Sequence, residues 1–185
     1  MVRLAPTRLY SPLKAVVTAL GILGVLIVGS CRSVPLTRPE SAVPQSITLE
    51  RSRCFGMCPA YRLTVDRSGN VSFASLNPGD SARVESGLVA PSVLDSLYAR
   101  ALRIGFFALP DTLMGNSTFC SRYATDLPGA TVTIDTNAGT KSVNDYHGCA
   151  ANTPAASGTL NELRIFEAAI DTLTQSSRWI QPSRR

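Results

Sequence analysis

Between residues 46 and 86 apolar side chains recur at every second position, the period of strands with one face buried. Residues 46–51 (SITLER) do so with Ile47 and Leu49, residues 61–66 (YRLTVD) with Tyr61, Leu63 and Val65, and residues 71–75 (VSFAS) with Val71 and Phe73. The intervening DRSGN is a hairpin turn in which Gly69 is free to take positive φ. Residues 81–86 (SARVES) extend the series as a fourth strand through Ala82 and Val84.

The period then changes. In residues 93–104 (VLDSLYARALRI) Leu94, Leu97, Tyr98, Ala101 and Ile104 share one helical stripe, with Ser92 as the expected N-cap and Asp95 in the first turn. GFFALPD ends that helix and is expected to send Phe106 or Phe107 into the core. A second hairpin follows, residues 130–135 with Val132 and Ile134 inward, a turn at TNAG, and residues 140–146 returning. The last helix is expected to open at a capping box, Thr159 to Glu162, and to bury Leu160, Leu163, Phe166, Ile170 and Leu173. Short turns imply antiparallel pairing. The predicted class is α+β: antiparallel hairpins forming a sheet, two helices packed on one face, in the order strands, helix, strands, helix.

Upstream of this domain (46–180) the chain reads differently. Residues 1–30 combine a basic start, Arg3, Arg8 and Lys14, with the uncharged apolar run 15–28, the layout of a signal peptide. Val28-Gly29-Ser30-Cys31 resembles the lipobox of bacterial lipoproteins, which implies diacylation of Cys31 and cleavage before it. Residues 31–45, with three prolines, read as a tether able to hold the domain up to roughly 40 Å from a bilayer. Arg32 after the cysteine resembles the pattern of outer-membrane lipoproteins. The expected location is therefore the bacterial cell envelope, lipid-anchored and facing the periplasm, with the membrane as one partner.

Location changes the meaning of charge. The formal charge is +5, but three of the 18 Lys and Arg precede Cys31, leaving 15 against 13 acidic residues. Between Ser46 and Ser176 ten basic side chains face twelve acidic ones, so the domain itself is mildly negative. The excess sits at the ends, in Arg178 and in the 181–185 tail with Arg184 and Arg185. No basic patch interleaved with aromatics is present, and nucleic acid is not an expected partner.

In an exported chain an even number of cysteines argues for disulfides. With Cys31 acylated, four remain: Cys54, Cys58, Cys120 and Cys149. Three pairings are open. Cys54 and Cys58 flank one tight turn, permitted by Gly56 and stopped by Pro59, while Cys120 and Cys149 bracket the second hairpin. Pairing 54–58 with 120–149 is thus the low-strain solution. The rival reading is chemical, because C-x-x-x-C-P resembles the copper-binding segment of periplasmic Sco-type chaperones. It would use Cys54, Cys58 and the only histidine, His147, as ligands for Cu(I), or the two thiols for redox exchange. Against it, Pro59 leads into a strand rather than a helix, and nothing in the pattern brings His147, beside Cys149, to the first turn.

Cys54-Phe55-Gly56-x-Cys58-Pro59-x-Tyr61, a strand and Gly69, then Thr125-Asp126 with Pro128, Tyr146, Ile170-Asp171 and Trp179, together resemble the bacterial domain-of-unknown-function family 6438 over about residues 46–180. The resemblance implies a small α+β envelope domain and carries no established activity. No G-x-S-x-G, phosphate loop or H-E-x-x-H is present. Asp126 is a candidate site carboxylate or a turn aspartate bonded to its own backbone. The expected function is a noncatalytic envelope lipoprotein that binds another envelope protein or supports an assembly, with no catalytic residue and no cofactor.

Overall fold

A computed structural model describes residues 41–78 and 83–180, all within the compact unit Leu36–Arg185. The signal run, Cys31, most of the tether and the basic tail lie outside the described residues. Eight strands and two helices follow in chain order: β1 (Pro44–Arg51), β2 (Tyr61–Asp66), β3 (Asn70–Ser75), β4 (Val84–Leu88), α1 (Ser92–Arg103), β5 (Arg122–Tyr123), β6 (Gly129–Thr136), β7 (Gly139–Tyr146), β8 (Cys149–Ala150) and α2 (Pro154–Thr174). None of the described helices is long and apolar enough to cross a membrane.

Six strands form one antiparallel sheet in the order β4-β3-β2-β1-β6-β7. The two hairpin sets meet at β1, which pairs with β2 on one side and β6 on the other. Its alternation therefore sets the phase of the whole sheet. Val71, Val65, Ile47 and Ile134 line up across the strands as one buried row. Phe73, Leu63, Leu49, Val132 and Val143 form the next. The opposite face is polar and solvated, with side-chain hydrogen bonds such as Thr48 to Thr64 and Thr133 to Ser142. Such a one-sided pattern needs cover on one face only.

Both helices supply that cover, which gives the predicted α+β arrangement. Leu94, Leu97, Tyr98 and Ala101 of α1 and Leu160, Leu163, Phe166 and Ile170 of α2 join the buried rows in one core. Phe106 is the phenylalanine that enters it fully, edge-on to Phe166, while Phe107 is only partly buried. Trp179 packs on Phe73, and the Arg178 guanidinium lies over its ring. Gly69 turns the β2–β3 hairpin at φ 81°, and a Cβ there would collide with the Val89 carbonyl.

Three local expectations are corrected. Ser92 is the first helical residue rather than the cap of α1. Pro91 precedes it with φ already helical, so the chain has turned before Ser92 can cap. Thr159 and Glu162 do not open α2, which starts five residues earlier. Thr153 accepts from the Ala156 amide, and Pro154 stands at the first position, where a missing N–H costs nothing. Strand β4 runs from Val84 to Leu88, later than residues 81–86. Its core-facing positions, Glu85 and Gly87, carry no apolar side chain, which hid the alternation.

Cys54 bonds to Cys58 and Cys120 to Cys149. The second bridge sits where β5 pairs with β8 and closes a loop of about 30 residues, worth roughly 3.5 kcal/mol in the chain-entropy account, against roughly 2 for the five-residue loop. Replacing Cys120 and Cys149 by serine is expected to cost more stability in urea unfolding than replacing Cys54 and Cys58. Equal or inverted losses would contradict this.

Candidate functional site

A third row crosses the core face at one end of the sheet, and it is polar. By register Ser75, Tyr61, Arg51, Ala130 and Asp145 stand side by side, in phase with the apolar rows before them. Parity compels Arg51, Tyr61 and Asp145 to point at the helices. Helix α2 answers with Arg164, Glu167 and Asp171 at i, i+3 and i+7, one stripe beside its apolar one.

The resulting network interleaves two guanidinium groups with three carboxylates. Arg51 donates through Nη1 to Glu167 Oε2 at 2.8 Å and through Nη2 and Nε to Asp171 Oδ2 at 3.0 and 3.3 Å. Asp171 Oδ1 also accepts from Tyr61 Oη at 2.6 Å and Ser176 Oγ at 2.8 Å. Glu167 Oε2 lies 2.8 Å from His147 Nε2, which is 3.8 Å from Asp145 Oδ2. Arg164 closes the row, donating Nε to Asp145 Oδ2 at 2.9 Å and Nη2 weakly toward the Tyr146 and Cys149 carbonyls. Asp145 and Glu167 are buried, so each requires a counter-charge. Burial works against the Arg51 charge, but Asp171 and Glu167 outweigh it and raise the pKa above the ordinary arginine value. Burial, and then the Asp171 carboxylate, raise Tyr61 well above an ordinary phenol.

The covalently clamped segments gather at this same end. Phe55 N donates to the Asp126 carbonyl, and His147 N donates to the Pro128 carbonyl two residues on. Tyr146 Oη donates to the Ala124 carbonyl and accepts from Leu127 N. His147 and the first turn each bond the segment 126–128, because β1 and β6 are adjacent, and no bond joins them to one another among the described residues. Asp126 holds φ at 69° and accepts from Thr125 Oγ1, so its side chain bonds a neighbouring hydroxyl rather than its own backbone.

Asp145, His147 and Glu167 bring three potential metal-ligand atoms within 4.8 Å of one another. One oxygen of each carboxylate already accepts from an arginine: Glu167 Oε2 from Arg51, and Asp145 Oδ2 from Arg164. A divalent cation on these carboxylates would sit close to both guanidinium groups, and their mutual repulsion opposes it. The Cys54 and Cys58 sulfurs are bonded to each other, and His147 Nε2 lies 2.8 Å from Glu167 Oε2.

What the end does present is an apolar tip. Phe55 is 88% exposed and Met57 55% exposed on the loop that Cys54–Cys58 clamps. Leu127 and Tyr123, also exposed, lie on the segment that holds the loop.

Residues 45–174 match the family described as Domain of unknown function (DUF6438). The chain belongs to this family. The matched region begins within β1 and ends with the last residue of α2, so it takes in the sheet, both disulfides and the ionic network except Ser176. Trp179, read as part of the resemblance, lies beyond it. A comparison with curated proteins returns no match.

Of the residues of this DUF6438 site, the sequence points to His147, Asp126 and the four cysteines and, through the family resemblance, to Tyr61, Tyr146 and Asp171. Sequence reasoning missed Arg51, Asp145, Arg164 and Glu167. Their signal was phase: Arg51 follows Ile47 and Leu49 at the same spacing, and Asp145 follows Val143.

Replacing Arg51 by Met strands a buried carboxylate and is expected to cost about 3–5 kcal/mol in denaturant unfolding. The Arg51→Met, Glu167→Met double variant should lose less than the sum of the singles. Strict additivity would remove the pair from the account.

Tyr61 gives a pH test. Its folded pKa is raised, so above pH 10 the unfolded chain releases a phenol proton that the folded chain retains, and stability falls as pH rises. Tyr98 is raised by burial and acts in the same direction. Tyr61→Phe should flatten the decline of the unfolding midpoint between about pH 10 and 11; an unchanged slope would refute the assignment.

Proposed function

We propose that the protein is a lipid-anchored envelope lipoprotein whose domain binds another envelope protein through its disulfide-clamped tip. The observation that carries this reading is the exposure of Phe55 and Met57 on a loop fixed at both ends. An aromatic anchor on a pre-ordered loop loses little conformational freedom on binding, which is how a small contact gains affinity. The partner that fits is a folded protein with an apolar pocket. The chain enters the sheet at Pro44, and β1, about 26 Å long, carries it to the tip at the far end.

The charged row supports the same use. It ties β1, β2, β7 and α2 together directly beneath the tip, so the loop stands on a rigid base. A thiol function would need the same cysteines free, and the loop shape depends on their bond.

Two experiments test the two halves separately. A photoreactive residue in place of Phe55 in the full chain, illuminated in the native envelope, is expected to capture one protein of defined mass. The same residue in place of Thr64, on the open sheet face, should not; equal capture at both positions, or none at 55, would sink the tip. Cys31→Ser should leave the precursor unacylated and uncleaved, and normal processing would sink the anchor.

A further inference from the structure

The two edges of the sheet are treated differently. Along β7 the outer edge is covered, since Asn144 N donates to the Asp111 carbonyl, Leu113 N donates to the Asn144 carbonyl, and Lys141 Nζ reaches the Leu109 carbonyl and the Asp111 carboxylate. Along β4, among the described residues, no strand pairs with the outer edge. Nor does β4 carry the lysine or proline that commonly blocks such an edge. It presents instead Val84, 71% exposed, and Leu88, 70% exposed, on a face that is elsewhere polar.

We propose that β4 is the contact through which two copies of this chain join, antiparallel and edge to edge, centred on Ser86. Hydrogen-bond parity supports this register. Ser75 N donates to the Arg83 carbonyl, and Val89 N donates to the Gly69 carbonyl. Arg83, Glu85, Gly87 and Val89 therefore turn their backbone groups toward β3, and Val84, Ser86 and Leu88 turn theirs outward. Placing Ser86 opposite its own copy sets Val84 against the partner's Leu88 twice and pairs all the outward groups. A one-residue slip would face inward groups with outward ones. A two-residue slip would set Ser86 against an apolar neighbour and shorten the ladder.

The side chains agree. The strand reads Val-Glu-Ser-Gly-Leu, so about Ser86 its ends are both apolar, and Glu85 meets Gly87 rather than a second carboxylate. That self-complementarity is what a two-fold interface demands, and it argues for a second copy over an unrelated strand. The ladder is short beside a standard interface of about 1,600 Å². The association is therefore weak, and crosslinking reads it better than a size measurement.

The full chain carrying Ser86→Cys, treated with a short bifunctional maleimide, is expected to give a product of twice the chain mass. Directly opposed residues in such a ladder lie about 5.5 Å apart at Cα. Thr140→Cys, exposed on the far strand β7, is expected to give none. Adding Val84→Lys and Leu88→Lys to Ser86→Cys should lower the yield at least tenfold, with unfolding midpoints unchanged because all three side chains are exposed. No dimer at position 86, equal yield at 140, a product of another mass, or insensitivity to the two lysines would each overturn the proposal.

Discussion

The clamped end is organised around one guanidinium that the pleat turns toward the core, leaving it largely out of water. Arg51 shares the parity of Ile47 and Leu49, so continuing β1 by two residues carries a charge onto the core face. Two α2 carboxylates on either side of it turn that liability into a junction. A buried ionic row contributes little net stability compared with an apolar one, but breaking it is costly, and it admits few alternative arrangements. It therefore fixes the rotation of α2. Turning the helix by one position would move Glu167 and Asp171 away from Arg51 and take from the buried Glu167 its guanidinium partner.

That constraint propagates outward. With α2 fixed, Arg164 reaches Asp145 and the carbonyls of Tyr146 and Cys149, so the β7–β8 turn is held from the helix side as well as by Cys120. The turn in turn supports residues 124–128 through Tyr146 and His147, and these residues bond the Cys54–Cys58 loop. Each link is a few hydrogen bonds. In series they connect a helix stripe to the position of Phe55, which explains how a loop with almost no burial of its own is held in one place.

The fold was largely legible because its elements obey simple periods. The alternation in residues 46–51, 61–66 and 71–75, the helical stripe from Leu94 to Ile104 and the hairpin at TNAG all emerge with small changes of boundary. What periodicity could not supply was strand order. Both hairpin sets were visible, but nothing local states that β1 pairs with β6, and without that pairing His147 and the first turn seemed unrelated. The ionic row was obscured for a related reason. A charged residue in phase with apolar ones reads as the end of a strand, and here Arg51 and Asp145 are its continuation. The helix starts failed through proline: Pro91 and Pro154 nucleate their helices earlier than the polar caps Ser92 and Thr159 suggested.

The sheet's asymmetry follows from the same economy of cover. Two helices suffice for one face, and the segment after α1 is long enough to protect the β7 edge on its way to β5. The meander leaves β4 at the other margin, where the chain turns directly into α1 through Val89, Ala90 and Pro91 and has no length to fold back. An edge in that position is either defended by charge or used. Its side chains on the open face are valine, serine and leucine, and the one acidic residue, Glu85, faces the other way and is paired to Arg83, just before the strand. The charges that could have guarded the edge are thus turned away from it, and the apolar groups that could be covered are turned toward it.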